Sequence, residues 1–378
     1  TLFPYTTLFR SYVFLLILLF PVKLIRKLFR KDTGKNLVIQ TAKIGDFINA
    51  TPLLAWLQKS DVLISRSVGA LAKHDETIEQ IYFIEQHKRN LWRKLCFACR
   101  IMNRYDNVYL LQPNSVNLFF AAVCNAKNKQ FLSIYTRRWY HGIFYLAADG
   151  TVEHGKKTLS VTNYLKLADR SLTWQDSPKH ATKPLFKPTT WPAILDKPGV
   201  IRIGISIAAG NKAKTVPPVI WKRIVDQLAD LPCEFYVFGA PNEQSWMDDI
   251  TRLYGDIPNF TNLIGKISLE ELPWAISKMD CYIASDSGNV YIADAVGVPV
   301  VLLFGPCCHY EQRPLGNVML IGNDDNICSY VFETRYYFPQ EREALFSVTD
   351  SALHDLQQFI RTLPKARSLA SAPDAQGN

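Results

Sequence analysis

The sequence predicts an α/β chain built as two doubly wound halves, and three observations carry that prediction. Short apolar, β-branched runs alternate with helix-like stretches along most of the 378 residues, which is the pattern of parallel strands covered on both faces. The alternation breaks once, at "KPLFKPTTWPAILDKPG", where four prolines fall between Pro184 and Pro198, and then restarts. Apolar residues make up 48% of the chain, enough for two cores of ordinary domain size and too many for a disordered chain.

Taken in order, residues 1–11, "TLFPYTTLFRS", have no clear period and no opening Met, and they read as the in-frame translation of a sequencing adapter. They are set aside from fold reasoning. Residues 12–35 hold an apolar run, "YVFLLILLFPV", and then "KLIRKLFRK". The run is about half the ~20 residues a spanning helix needs. Past Pro21, Leu24, Ile25, Leu28 and Phe29 recur at helical spacing, with Lys23, Arg26, Lys27, Arg30 and Lys31 between them. That pattern suits a basic amphipathic helix on an anionic membrane surface. The alternatives are a core helix or a signal-peptide remnant, although a signal peptide carries its charges before the apolar stretch. The expectation is a membrane surface met through residues 12–31, with the protein cytoplasmic and peripheral on the inner face of the cytoplasmic membrane. These five cations account for much of the net charge of +9. The rest of the chain is mildly basic, and no nucleic-acid-binding stripe is indicated.

The first half, residues 36–183, opens with the strand-like "NLVIQT", followed by a helix, "DFINATPLLAWLQKS". "DVLISR", "QIYFIE" and "DNVYLLQ" are further strand candidates. Residues 184–198 read as the linker. The second half, residues 199–364, supplies the strands "VIRIGISIA", "EFYVFG", "CYIAS" and "PVVLLFG". Its helices are "PPVIWKRIVDQLADL", "NEQSWMDDITRLYG", "LEELPWAISKMD" and the stretch after "SDSG". Residues 365–378, small and polar toward the end, are expected to be disordered. The eight cysteines are irregularly spaced; Cys96 and Cys99 form a CxxC, but no second pair completes a zinc site. Both are expected to be buried structural thiols, and the cysteine usage fits a reducing compartment.

Ligands in doubly wound sheets bind beyond the carboxyl ends of the strands, so a cleft between two facing halves is the default site. Three stretches sit at such ends. In "KIGDFINATP", Gly45 supplies a tight turn, and Asp46 is either a general base or a helix N-cap. In "IAAGNKAKTVPP", the small residues Ala208, Ala209 and Gly210 admit a ligand to the backbone, and Lys214 either reaches a phosphate or is a solvated loop lysine. In "SDSGNVYIA", Asp286, Ser287 and Gly288 open a helix. Either its free N–H groups meet an anion, or Asp286 or Ser287 simply caps it.

The three stretches together resemble glycosyltransferase family 9, the heptosyltransferase family of lipopolysaccharide core synthesis. The matching residues are "KIGDFINATPLL", "GISIAAGNKAKTVPP" with Trp221 in the next helix, "SDSGNVYIADAVGVPVVLLFGP" and "RPLG" from Arg313, so the resemblance spans Asn36 to Gly322. It implies a GT-B fold, two Rossmann-like domains facing across a cleft, with acceptor on the first and nucleotide sugar on the second. It implies Asp46 as catalytic base, Gly210, Lys214, Asp286, Ser287 and Gly288 as the donor-phosphate site, and Glu243 at the ribose. Tyr291 and Arg313 are further candidates. The donor implied is a nucleotide sugar, ADP-heptose, and the acceptor a glycolipid. The reaction implied is an inverting displacement with no cofactor and no metal, and the chain contains no Asp-x-Asp. The family often carries His where Tyr291 stands, and Pro or Leu where Asn289 stands. Two other readings stay open here: a nucleotide-sugar epimerase, which shares the architecture, and a membrane-associated nucleotide-sugar-binding protein without catalysis.

Overall fold

The computed structural model describes residues 3–189, 195, 197–210, 212–257, 259–333 and 341–370. The chain divides into two compact units, Thr1–Pro184 and Leu185–Asn378. The first unit runs α1 (Phe3–Leu28), β1 (Asn36–Gln40), α2 (Ile44–Leu57), β2 (Ser60–Ile64), α3 (Gly69–Ala72), β3 (Ile78–Phe83), α4 (Ile84–His87), α5 (Leu91–Ile101), β4 (Asn107–Leu110), α6 (Ser115–Val123), β5 (Asn128–Ile134), α7 (Gly142–Tyr145), β6 (Gly150–His154) and α8 (Ser160–Leu165). The second runs β7 (Ile201–Ser206), α9 (Pro218–Gln227), β8 (Cys233–Val237), α10 (Gln244–Tyr254), β9 (Phe260–Asn262), α11 (Leu272–Ile276), β10 (Cys281–Ala284), α12 (Gly288–Ala295), β11 (Val300–Leu303), β12 (Val318–Ile321), α13 (Arg342–Phe346), α14 (Asp350–Thr362) and α15 (Pro364–Ala370).

Each unit has one six-stranded sheet, in the order β3-β2-β1-β4-β5-β6 and β12-β11-β10-β7-β8-β9. Every pairing is parallel. The two orders are the same path: the chain winds outward from the first strand of each unit, then returns to its other side. The central strands are buried along their whole length, as "CYIA" and "VVLL" are, because helices cover both faces of a parallel sheet.

In the first unit the core gathers around α6. Leu118, Phe119, Phe120, Ala121, Ala122 and Val123 are all fully buried. A helix apolar on every side needs cover on every side, and α1 supplies the outer layer. Tyr12, Leu15 and Leu19 are buried in this core, and the Tyr12 and Phe119 rings lie 5.6 Å apart.

This corrects the reading of residues 12–35 in two respects. One helix runs through Pro21 instead of beginning after it, and three cations of the 12–35 segment work inside the unit. Lys23 donates to the Ala122 carbonyl at 2.6 Å, Arg26 to the Cys99 carbonyl, and Arg30 pairs with Asp106. Ala122 and Cys99 lie in the last turns of α6 and α5, where cations meet unpaired carbonyls and the negative end of the dipole. Burial, together with the Lys129 charge, lowers the Lys23 pKa to about 8. The opposite face of α1 stays exposed at Phe14, Ile17, Leu18, Leu24, Ile25 and Leu28. Among the described residues no helix is long and apolar enough to cross a membrane.

The second core joins β7, β8, β10 and β11 to Trp221 and Ile224 of α9 and to Leu353, Leu356 and Ile360 of α14. It also takes in Leu363 and Ala366, so the expected disordered tail is corrected for residues 365–370, which form α15. Pro364 starts that helix where a missing N–H does no harm, and Ala366 packs inward. Residues 371–378 lie outside the described residues, as does part of the 184–198 linker; within that linker Leu195 is fully buried. The CxxC expectation is corrected as well: Cys96 is exposed and Cys99 half-buried. The inward face of α5 is carried by Phe97, Ala98 and Ile101, which turns Cys96 outward.

Candidate functional site

Strand order reverses between β7 and β10 in the second unit, and doubly wound sheets hold ligands beyond the carboxyl ends of strands at such a point. Ser206, the last residue of β7, lies opposite Ala284, the last of β10. Ser206 Oγ is 2.7 Å from the Tyr282 hydroxyl and accepts from Asn289 Nδ2 at 3.0 Å. Asn289 thereby ties the first turn of α12 to the end of β7.

The chain leaves β7 through Ile207–Gly210, with Gly210 exposed, and returns through Lys214 to the same edge. Lys214 Nζ lies 2.9 Å from one Asp286 carboxylate oxygen, and the Tyr291 hydroxyl donates to the other at 2.5 Å. The Cys307 thiol hydrogen-bonds the same carboxylate. Burial alone would raise the Asp286 pKa, but the Lys214 charge and the donated hydrogen bonds hold it below the ordinary aspartate value. Burial pushes the Cys307 thiol well above its usual range, so it stays protonated and donates.

Neither Asp286 nor Ser287 caps α12. Ser287 occupies the N-cap position, yet its side chain makes no capping hydrogen bond. Its Oγ is buried without a partner among the described residues, and so is that of Ser285. With Gly288 as the first helical residue, backbone N–H groups and a buried hydroxyl stand together beside an ammonium. The capping alternative is excluded for both side chains, and Lys214 is no solvated loop lysine, being 17% exposed.

Two other candidates stand at the margins. Glu243 ends a short turn after β8 and accepts from the Ala240 N–H at 3.2 Å; burial raises its pKa. A Cβ at Gly239 would meet its Oε2 at 2.5 Å, so that glycine makes room for the carboxylate. Arg313 donates to the His309 carbonyl at 3.0 Å. Its "RPLG" segment is fixed by Asp294 of α12, which accepts from the Leu315 and Gly316 N–H groups. Tyr291 also reaches the Gln312 carbonyl, at 3.4 Å.

The first unit has its own reversal, between β1 and β4. Thr41 Oγ1 donates to Gln112 at 2.8 Å and accepts from Asn117 at 2.8 Å, joining the ends of both strands. Asp46 is half-buried in the first turn of α2 and accepts from the Lys43 N–H at 3.3 Å. Lys43, not Asp46, is the N-cap, and Gly45 lies within the helix, not in a turn before it. These two expectations are corrected because the helix starts at Ile44, two residues earlier than the apolar pattern placed it.

Sequence reasoning missed Ser206 and Cys307, which hold this edge together. Ser206 is the last residue of a strand, and Cys307 follows the "LLFGP" strand end; place along a strand was the only available signal.

Residues 89–336 match the family described as glycosyltransferase family 9 (heptosyltransferase). The chain belongs to glycosyltransferase family 9. The "lipopolysaccharide heptosyltransferase 3" of Escherichia coli is 24% identical over 300 residues, covering 73% of this chain and 85% of that one. A family 9 glycosyl transferase from Veillonella parvula has a similar structure, with a TM-score of 0.64 at 18% identity, over 86% of this chain and 98% of that one. The ADP-heptose LPS heptosyltransferase II of E. coli gives 0.62 at 19%, over 86% and 98%. As a family 9 member the chain is a glycosyltransferase of the GT-B fold. The family match includes Lys214, Asp286, Ser287, Gly288, Tyr291 and Arg313; it begins after Asp46.

Proposed function

We propose that this family 9 enzyme moves a heptose from ADP-heptose to a lipopolysaccharide-core or related glycolipid acceptor, with inversion and without a metal. The observation that carries this reading is the uncapped start of α12: a buried Ser287 hydroxyl with no partner among the described residues, and helix N–H groups, beside the Lys214 ammonium. That edge suits a diphosphate. Asp46 accepts the proton of the acceptor hydroxyl as its oxygen bonds the anomeric carbon, and the bond from that carbon to the diphosphate oxygen breaks. The departing charge is met by the α12 N–H groups and Lys214, an electrostatic contribution of several kcal/mol in sites of this kind. Asp286 and Tyr291 position the ammonium, so Tyr291 serves the cradle through Asp286 instead of touching phosphate as a cation. Gly210 leaves the backbone open to the donor, and Glu243 accepts from the ribose hydroxyls. The relatives described above support the choice of ADP-heptose and lipopolysaccharide.

The exposed apolar face of α1, with exposed Lys27 and Lys31, suits the cytoplasmic surface of the membrane that carries such an acceptor. The test is incubation with radiolabelled ADP-heptose and a lipopolysaccharide-core acceptor in chelator. Label on the lipid supports the reading. Isomerised free nucleotide sugar, no transfer at all, or transfer only on adding magnesium or manganese overturns it in part or whole.

A further inference from the structure

Away from both strand-order reversals, the first unit holds a pocket of about 520 Å³ lined by Arg66, His87, Arg93, Cys96, Phe97 and Arg100. It stands at the carboxyl ends of β2 and β3. Arg66 follows β2, His87 ends α4 directly after β3, and the other four project from α5. Positions 93, 96, 97 and 100 recur at helical spacing and share one face. The floor is aromatic. The His87 ring stacks on Phe97 at 3.7 Å and 6°, the Arg100 guanidinium sits 5.4 Å from the Tyr82 ring, and that of Arg66 sits 5.8 Å from Phe83.

What the pocket lacks is a negative charge. None of the three guanidiniums pairs with a carboxylate among the described residues. Glu85, the nearest acid in sequence, is turned to Ser65 Oγ and the Arg66 backbone N–H, each at 3.0 Å. Burial and the Arg100 and Arg93 charges lower the His87 pKa, so the imidazole is neutral at pH 7 and adds a hydrogen-bonding group without adding charge. Three like charges gathered without a counter-charge repel one another, and an anion between them removes that repulsion. Guanidinium forks match phosphate oxygens two at a time.

We propose that this pocket is a phosphate-binding site. The phosphate is carried either by the glycolipid acceptor or by a free phosphorylated metabolite. Only the first source rests on the function proposed above.

Cys96 gives a readout that needs no turnover, because its exposed thiol lines the pocket. The full chain is alkylated with iodoacetamide with and without inorganic phosphate, and the Cys96 peptide is quantified by mass spectrometry, with Cys99 as internal control. Phosphate is expected to protect Cys96 selectively, and R93Q/R100Q is expected to abolish that protection with an unchanged melting temperature. Both substitutions are at exposed positions, and R93K/R100K, which keeps the charge, tests any loss of fold. A second arm measures kinetics. If the acceptor is the source, R93Q/R100Q raises KM roughly tenfold or more for phosphorylated acceptor and not for dephosphorylated acceptor, at constant kcat, each charged hydrogen bond being worth about a factor of ten. Protection of Cys96 with unchanged acceptor KM assigns the site to a free metabolite. Alkylation indifferent to phosphate in the wild-type protein overturns the site even if the enzyme transfers heptose normally.

Discussion

At the scale of single residues, Lys214 and Asp286 act as a pair. Asp286 is 22% exposed and Lys214 17%, and removing either leaves a partly desolvated charge behind. Lys214→Ala should therefore weaken ADP binding by roughly 1.5–3 kcal/mol, the range for a charged hydrogen bond. It should also lower the melting temperature more than Lys214→Ala combined with Asp286→Asn does. A double-mutant cycle in melting temperature and ADP affinity measures that coupling, and additive effects would refute the pairing. Because the folded pKa of Asp286 is depressed, its stabilisation is present above the ordinary value of 3.8 and is lost as pH falls through the folded value. The stability gap between wild type and Asp286→Asn should be flat from pH 5 to 8 and close only in strong acid. Asp46→Asn is the second residue test. At the third helical position Asn still accepts from the Lys43 N–H, so stability should fall by no more than the dipole contribution, about 0.3–1 kcal/mol. Turnover should fall about 10²–10⁴-fold, the usual worth of acid–base catalysis, with ADP affinity unchanged. Turnover near wild type would remove Asp46 from the mechanism. How far these residues could be read from the chain differs. The placement of Lys214, Asp286 and Ser287 was legible because strand ends and a helix start bracket them. That Lys214 meets Asp286 was not, because the two are 72 positions apart and spacing along a chain does not report distance across a sheet.

Among the elements, α1 carries two apolar faces in different surroundings. Leu15 is 1% exposed against α6, whereas Ile17 is 63% exposed. Leu15→Ala should cost about 2–5 kcal/mol of first-unit stability, the usual range for an emptied core leucine, and leave liposome binding alone in the fraction that remains folded. Ile17→Glu with Leu18→Glu should do the reverse, keeping the melting temperature and losing flotation with anionic liposomes. Equal flotation of the doubly substituted chain would remove this face as the membrane contact. Deleting Tyr12–Lys31 is a poor test, since it strips three core side chains and the cations on the α5 and α6 carbonyls. The sequence hid the buried face because a helix with apolar residues on both its buried and its exposed side shows no clean stripe. The missing clue lay elsewhere, in "NLFFAAVC": a stretch with no polar face announces that something must cover it. Most strands with β-branched runs were readable, whereas β5, with polar Asn128, Lys129 and Gln130, β9, only three residues long, β6 and the apolar β12 were not.

For the molecule as a whole, the same winding path occurs twice, and each copy encloses its own core. Two units with separate cores need not melt together. ADP should raise the melting of the Leu185–Asn378 unit alone, by the amount its affinity sets. Calorimetry on the full chain with proteolysis of each unit separates the two transitions, and ADP protection confined to Thr1–Pro184 would place the donor in the wrong half. The doubled fold was legible from the restart of alternation after Pro198, since a linker rich in proline marks where one core ends. The expected partition of roles between the units comes from family resemblance alone, because two sheets of identical path give physics no reason to choose between them.

The dependence of α6 on α1 also has a consequence for how the chain is made. A ribosome releases α1 before α6, and 87 positions separate Leu28 from Ser115, where α6 begins. At synthesis rates of about 5–20 residues per second, α1 waits on the order of 5–15 s before the surface it covers exists. During that interval both apolar faces are bare beside the translating ribosome, and a nearby bilayer or a chaperone is the first partner on offer. The apolar faces of α1 are therefore open to other partners before the surface that covers one of them has been made.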